Sequence, residues 1–163
     1  MAGFYLTSND ALVRCYDEGH PRDASMAYKQ DLRDAARRHL QTAQVLYEQD
    51  EPGLKPRCKA VAGYLFGLAG ELAVKEMMRD SGMQPATEIR DDPYYAHFPS
   101  LKNMLALASG RRAGELHKVA QNPQLFQNWD IRMRYAPTSD IQPAWVEAWK
   151  KSAEELVDRM AAA

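Results

Sequence analysis

Cysteine is almost missing from this chain of 163 residues. Cys15 and Cys58 stand alone in unrelated segments, which excludes both a disulfide framework and a Cys-x-x-Cys metal clasp. No basic region followed by an apolar core opens the sequence, so a reduced, cytoplasmic protein is expected. Long hydrophobic runs are missing as well. The stretch Ala60 to Gly70 is too short to cross a bilayer and leads straight into Glu71, so no membrane segment is expected. Nor is there an excess of either charge: 21 Lys and Arg face 22 Asp and Glu, a net charge of −1. No global field therefore holds a polyanion, and any nucleic-acid contact has to be local. Alternating strand patterns, internal repeats and low-complexity tracts are absent, which leaves the all-α class. His20, His39, His97 and His117 have no second histidine or cysteine at i,i+3 or i,i+4, and no HExxH frames them. Neither a metal nor a cofactor is expected.

What is present reads as one bundle. A length of 163 residues with 45% hydrophobic content suits a single domain. Residues 1–22 lack helical periodicity and contain Gly19-His20-Pro21, so they are read as an N-terminal extension to a domain over 23–163. A first helix is expected from about Asp23, capped by Ser25, to about Glu48, burying Leu32, Ala36, Leu40, Ala43 and Tyr47. Asp50-Glu51-Pro52-Gly53 ends it, and a second helix over about Leu54 to Asp80 should lie antiparallel to it. Within that second helix, AVAGYLFGLAGELAVKEMM is apolar nearly all the way round, which belongs at the centre of a bundle. Val61, Leu65, Leu68 and Leu72 form one stripe, and Gly63, Gly67 and Gly70 form another on the far side, where a second helix can approach closely. Each such glycine costs about 1 kcal/mol relative to alanine, so three on one face mark a steric requirement.

A long polar and aromatic loop follows over residues 82–98. Pro99 then suits the first turn of a helix carrying Leu101, Met104, Leu105 and Leu107 up to Gly110, and a shorter helix covers Ala113 to Gln121. After the turn QLFQNW comes the basic, aromatic segment Trp129 to Tyr135. The last helix starts near Asp140 to Pro143 and turns Trp145, Trp149, Leu156 and Met160 inward, with i,i+4 pairs at Glu147/Lys151 and Glu155/Arg159. The expected architecture is an antiparallel helical bundle: two long N-terminal helices, shorter helices, then a long C-terminal one.

Chemistry has few places to sit. His39 falls on the apolar stripe of the first helix and reads as a boundary histidine. Glu71 reads as an ion pair with Lys75 or a partner of Tyr64, with no second acid spaced to work beside it. Metal-independent RNA cleavage needs a histidine to exchange protons with the ribose 2′-OH and an arginine to stabilise phosphate charge. Arg90 and His97 share the loop, where Pro93 can reverse the chain, and Tyr94 and Tyr95 between them offer base-stacking faces or packing surface. Arg112 and His117 are the second such pair, but on a helix that spacing sets them about 140° apart. Arg132, Arg134 and Tyr135, and separately Lys55, Arg57 and Lys59, are candidate phosphate contacts or solvated charge.

DAARRHLQTAQVLYE, GYLFGLAGELAVKEMM, HFPSLKNMLAL and NWDIRMRYAP, in that order over about Asp23 to Met160, resemble the HEPN family of nucleotide-binding domains. The resemblance implies a helical bundle, commonly a homodimer, with metal-independent RNase activity where an arginine precedes a histidine by a few residues in a late helix. Here Arg132-Met133-Arg134-Tyr135-Ala136-Pro137 is followed by no histidine. What the resemblance then implies is a binding or partner module for RNA, a nucleotide or a protein, such as a nucleotidyltransferase in a toxin–antitoxin pair. Arg132, Arg134 and Tyr135 are the contact residues on this reading. The alternatives are an RNase using Arg90 and His97 and a structural oligomerisation subunit.

Overall fold

The computed structural model describes residues 29–162, and the architecture below belongs to the unit Asp31–Ala163. Its α-helices are α1 (Leu32–Tyr47), α2 (Lys55–Asp80), α3 (Ser100–Met104), α4 (Ala113–Gln121) and α5 (Pro143–Ala161). Four short 3-10 turns lie between them, and no strand occurs among the described residues. The class is all-α, as composition and periodicity indicate.

The first helix starts later than periodicity predicts. Asp31, in an extended conformation, caps it by accepting the Asp34 N–H at 2.9 Å, and residues 29–31 are irregular. A carboxylate at the cap satisfies an orphan N–H and complements the helix dipole, which makes Asp31 a natural start. The expected start at Asp23 and cap at Ser25 lie outside the described residues, as does the 22/23 boundary. Ala36, Leu40 and Ala43 bury the expected stripe, and His39 holds the Ala35 carbonyl at its edge at 2.7 Å.

α2 is the central helix, packed against both α1 and α5. Its glycine face is the buried one, but rings rather than helix backbone fill it. A Cβ on Gly63 would stand 2.9 Å from the Trp149 ring of α5, one on Gly67 would stand 1.8 Å from Trp129, and one on Gly70 would stand 2.4 Å from Phe126. The last two rings come from the irregular segment before residue 131. Phe126 and Asn128 take positive φ there, which turns that segment back onto α2. The opposite stripe of Val61, Leu65, Leu68 and Leu72 is only partly covered, the reverse of what a leucine-rich stripe suggests. Leu107, expected on the apolar side of its helix, is 85% exposed because that helix ends at Met104 and continues as a 3-10 turn with a different period.

Charged side chains tie the helices across the core edge. Glu76 of α2, buried, takes Arg79 and Arg33, and Asp80 takes Arg33 and Arg112. The predicted Glu155/Arg159 pair forms. Glu147 instead accepts the Tyr47 hydroxyl of α1 at 2.8 Å, because that phenol lies within reach across the interface. No helix among the described residues is long and apolar enough to cross a membrane.

Candidate functional site

The loop after α2 is ordered by its own polar groups. Asp92, buried, accepts the Tyr94 N–H through Oδ1 at 2.9 Å and the Tyr95 and Ala96 N–H groups through its carbonyl, so Asp92 to Ala96 is a compact turn. Tyr94 points inward and donates its hydroxyl to the Met83 carbonyl at 2.8 Å. It is therefore a strut between the loop's ends rather than a stacking face. Tyr95, next to it, is exposed. Phe98 stacks on Phe126 at 5.0 Å and anchors the far end of the loop in the core.

That anchoring delivers His97 to Glu71. One oxygen of Glu71 accepts the Phe98 N–H at 2.7 Å, and the other lies 2.8 Å from Nδ1 of His97. The carboxylate is 2% exposed, whereas the imidazole is 44% exposed. Ionised, Glu71 only accepts, so Nδ1 carries the proton and Nε2 presents a lone pair. Nε2 has no protein partner among the described residues. Burial pushes the Glu71 carboxyl above the ordinary glutamate value, against the opposing pull of the His97 bond, the Lys75 charge and the Phe98 N–H. Lys75, buried one turn further on, is pushed below the usual lysine range by desolvation, while Glu71 and Asp92 act in the other direction. Glu71 thus has Lys75 as an electrostatic neighbour and His97 as its hydrogen-bond partner.

His97 stands in the wall of an open cleft of about 510 Å³, lined also by Arg90, Tyr95, Met104, Asp130 and Arg132. Asp130 and Arg132 form a two-armed pair: Oδ1 accepts the Arg132 backbone N–H and Nε at 2.8 Å each, and Oδ2 accepts Nη2 at 3.0 Å. This pairing holds the Asp130 carboxyl below the usual range, against the opposing effect of burial. One edge of the guanidinium is engaged and the other remains open to a ligand. Arg90 is largely exposed and, among the described residues, pairs only with Asp91, at 3.5 Å.

The structure therefore gathers Arg90, Tyr95, His97 and Arg132 but separates the remaining candidates. Arg134 lines a different cleft, and Tyr135 is 75% exposed beside it. Arg112 is no phosphate ligand: 4% exposed, it donates to Asp80, Glu115 and the Arg159 carbonyl, which leaves it nothing to offer solvent. His117 is bonded separately, with Nε2 3.0 Å from the Ala108 carbonyl. Of the basic residues opening α2, Lys55 pairs with Asp50 and Lys59 lies over the Tyr47 ring, while Arg57 has no ion pair among the described residues. Sequence reasoning missed Glu71 as the partner of His97 and Asp130 as the clamp on Arg132. Its available signals were a lone acid in an apolar helix and an Asp two residues before an Arg, neither of which names a partner. Among the described residues no cluster of three His, Cys, Asp or Glu could share a metal ion. Comparison of the chain with protein-family models, with curated proteins and with solved structures finds no significant match, so its own geometry carries the functional argument.

Proposed function

We propose that this chain is a HEPN-like helical domain that binds single-stranded RNA. On this reading a phosphate sits between Arg90 and Arg132, the Nε2 lone pair of His97 accepts a ribose 2′-OH, and a base lies on Tyr95. The observation that carries the proposal is the convergence of these four side chains, spread over residues 90 to 132, in one cleft. Single-stranded sites characteristically combine a cationic groove with an aromatic face, and a near-neutral protein has to supply that charge locally. Binding of a labelled single-stranded RNA, followed by fluorescence anisotropy, is expected to weaken about tenfold in Arg90→Gln and again in Arg132→Gln, ~1.4 kcal/mol each. Unchanged Kd in both variants, with wild-type circular dichroism, removes this cleft from the function.

A second reading, metal-independent cleavage, is favoured by the Glu71–His97 bond alone. An imidazole whose Nδ1 proton is held by a carboxylate offers Nε2 as a base toward a ribose 2′-OH. The 2′ oxygen then displaces the 5′ oxygen from phosphorus, the arginines stabilise the added charge, and the imidazolium returns its proton to the leaving oxygen. Cleavage in EDTA that His97→Ala abolishes is the required result. Intact RNA after incubation with folded wild-type protein leaves binding without chemistry.

A further inference from the structure

The 3-10 turn Ile131–Tyr135 divides its two arginines between two clefts. Ile131 and Arg132 line the His97 cleft, whereas Met133 and Arg134 line a second one of about 310 Å³. Arg57, Val61 and Tyr64 of α2 and Ile141 complete this second cleft. A five-residue 3-10 turn is about 10 Å long at 2.0 Å per residue, so the two clefts are adjacent. A packed link also runs between them. Tyr64 stacks on the buried Trp129 at 6.3 Å, and Trp129 directly precedes Asp130 of the first cleft.

The second cleft has the chemistry of a nucleic-acid groove. Among the described residues no carboxylate lines it. Arg57 is exposed and has no ion pair or hydrogen bond among the described residues, at a helix start where its charge opposes the dipole. The Arg134 guanidinium carbon lies 4.8 Å from the centroid of the Tyr135 ring, forming an exposed cation and aromatic platform. Val61, Met133 and Ile141 give an apolar floor on which the flat face of a base can rest.

We propose that the second cleft takes the neighbouring nucleotides of the same strand, so that the ligand is an oligonucleotide laid across the Ile131–Tyr135 turn. Arg57 and Arg134 meet its next phosphates. This rests on the reading of the His97 cleft as an RNA site, and the test separates the two.

The experiment compares AMP with a single-stranded RNA of ten nucleotides on the full chain, for wild type, Arg57→Gln/Arg134→Gln and Arg90→Gln/Arg132→Gln. All four arginines are surface residues whose removal is expected to leave the thermal midpoint unchanged. In the Arg57/Arg134 variant the oligonucleotide should bind more weakly, by about tenfold per arginine, while AMP binding stays at the wild-type value. The slope of log K against log salt should also become shallower by about 1.4, two phosphates at 0.7 each. Oligonucleotide affinity and slope unchanged in that variant overturn the second cleft but leave the first standing. Equal losses for AMP and oligonucleotide overturn the threaded strand, since both ligands then depend on one place. Loss confined to the Arg57/Arg134 variant overturns the His97 cleft instead and keeps the second as the binding site. Wild-type protein that binds neither ligand overturns both.

Discussion

Gly67→Ala is expected to lower stability by about 3 kcal/mol and the thermal midpoint by roughly 6–12 °C. The added methyl would stand 1.8 Å from Cε2 and 2.1 Å from Nε1 of Trp129, distances at which something has to move. The indole has little freedom to do so. It is 2% exposed, donates Nε1–H to the Gly63 carbonyl at 3.1 Å, and meets the edges or faces of Tyr64, Phe98 and Phe126. Alanine's better helix propensity returns at most about 1 kcal/mol, so the clash decides the sign. Gly114→Ala is the control. Nothing lies within 4 Å of its Cβ, and a change of less than about 1 kcal/mol toward greater stability is expected. Thermal unfolding by circular dichroism checks both, and a wild-type midpoint for Gly67→Ala would contradict the packing described for Trp129. Displacing Trp129 also displaces Asp130 beside it, so on the proposed binding reading RNA affinity should fall along with stability.

Replacing Glu71 separates the two functional readings. Glu71→Ala leaves the buried Phe98 N–H without its acceptor and His97 without its Nδ1 partner, a loss of about 1–3 kcal/mol for the orphaned N–H alone. Glu71→Gln keeps an oxygen for Phe98 but turns an amide N–H toward Nδ1. The neutral imidazole then carries its proton on Nε2, and the cleft loses a lone pair and gains a donor. Under the cleavage reading, activity falls by 10²-fold or more, the usual scale for losing a general base. Under the binding reading, RNA affinity is retained, because a ribose 2′-OH can accept from an N–H as readily as it donates to a lone pair. Nitrogen NMR of His97 reports the tautomer directly, and a ring still protonated at Nδ1 in the Gln variant would refute this account.

The pH dependence follows from the direction of the Glu71 shift. A carboxyl raised by burial binds its proton more tightly when folded than when unfolded. Its contribution to stability is complete below the ordinary 4.5 of a glutamate and is lost as pH rises through the higher native value. Wild type should therefore lose stability relative to Glu71→Gln across that acid window. Urea unfolding of both proteins at several pH values gives the difference, and a gap that widens with pH in wild type's favour reverses the sign.

The helices were legible because their causes are local. Apolar spacing at 3.6 residues, the Pro52-Gly53 break, Pro143 at a helix start and the glycine stripe each act within a turn or two, and all-α architecture follows from them. The cap of α1 at Asp31 was not singled out, because Asp, Ser and Asn all carry good capping chemistry and the sequence offers several of them. The glycine stripe gave a steric requirement without naming what fills it. Two of the three filling rings, Phe126 and Trp129, sit on a segment with two positive φ values at residues that are not glycine, which no periodicity encodes.

The candidate site was legible in its residue types but not in its assembly. Arg90 and His97 share a loop, so their proximity was arguable from the sequence. Glu71 reaches His97 across 26 positions, and Arg132 arrives in the same cleft from a turn further along the chain. Both meetings depend on Phe98 and Trp129 burying against the central helix. Two arginines two residues apart looked like one basic patch, and the 3-10 turn sends them to different clefts. The sequence by itself determined which segments are helical and which faces are apolar, because short-range sterics and burial decide those. Tertiary structure decided which polar groups meet, since a hydrogen bond between distant residues depends on where the intervening loop is anchored.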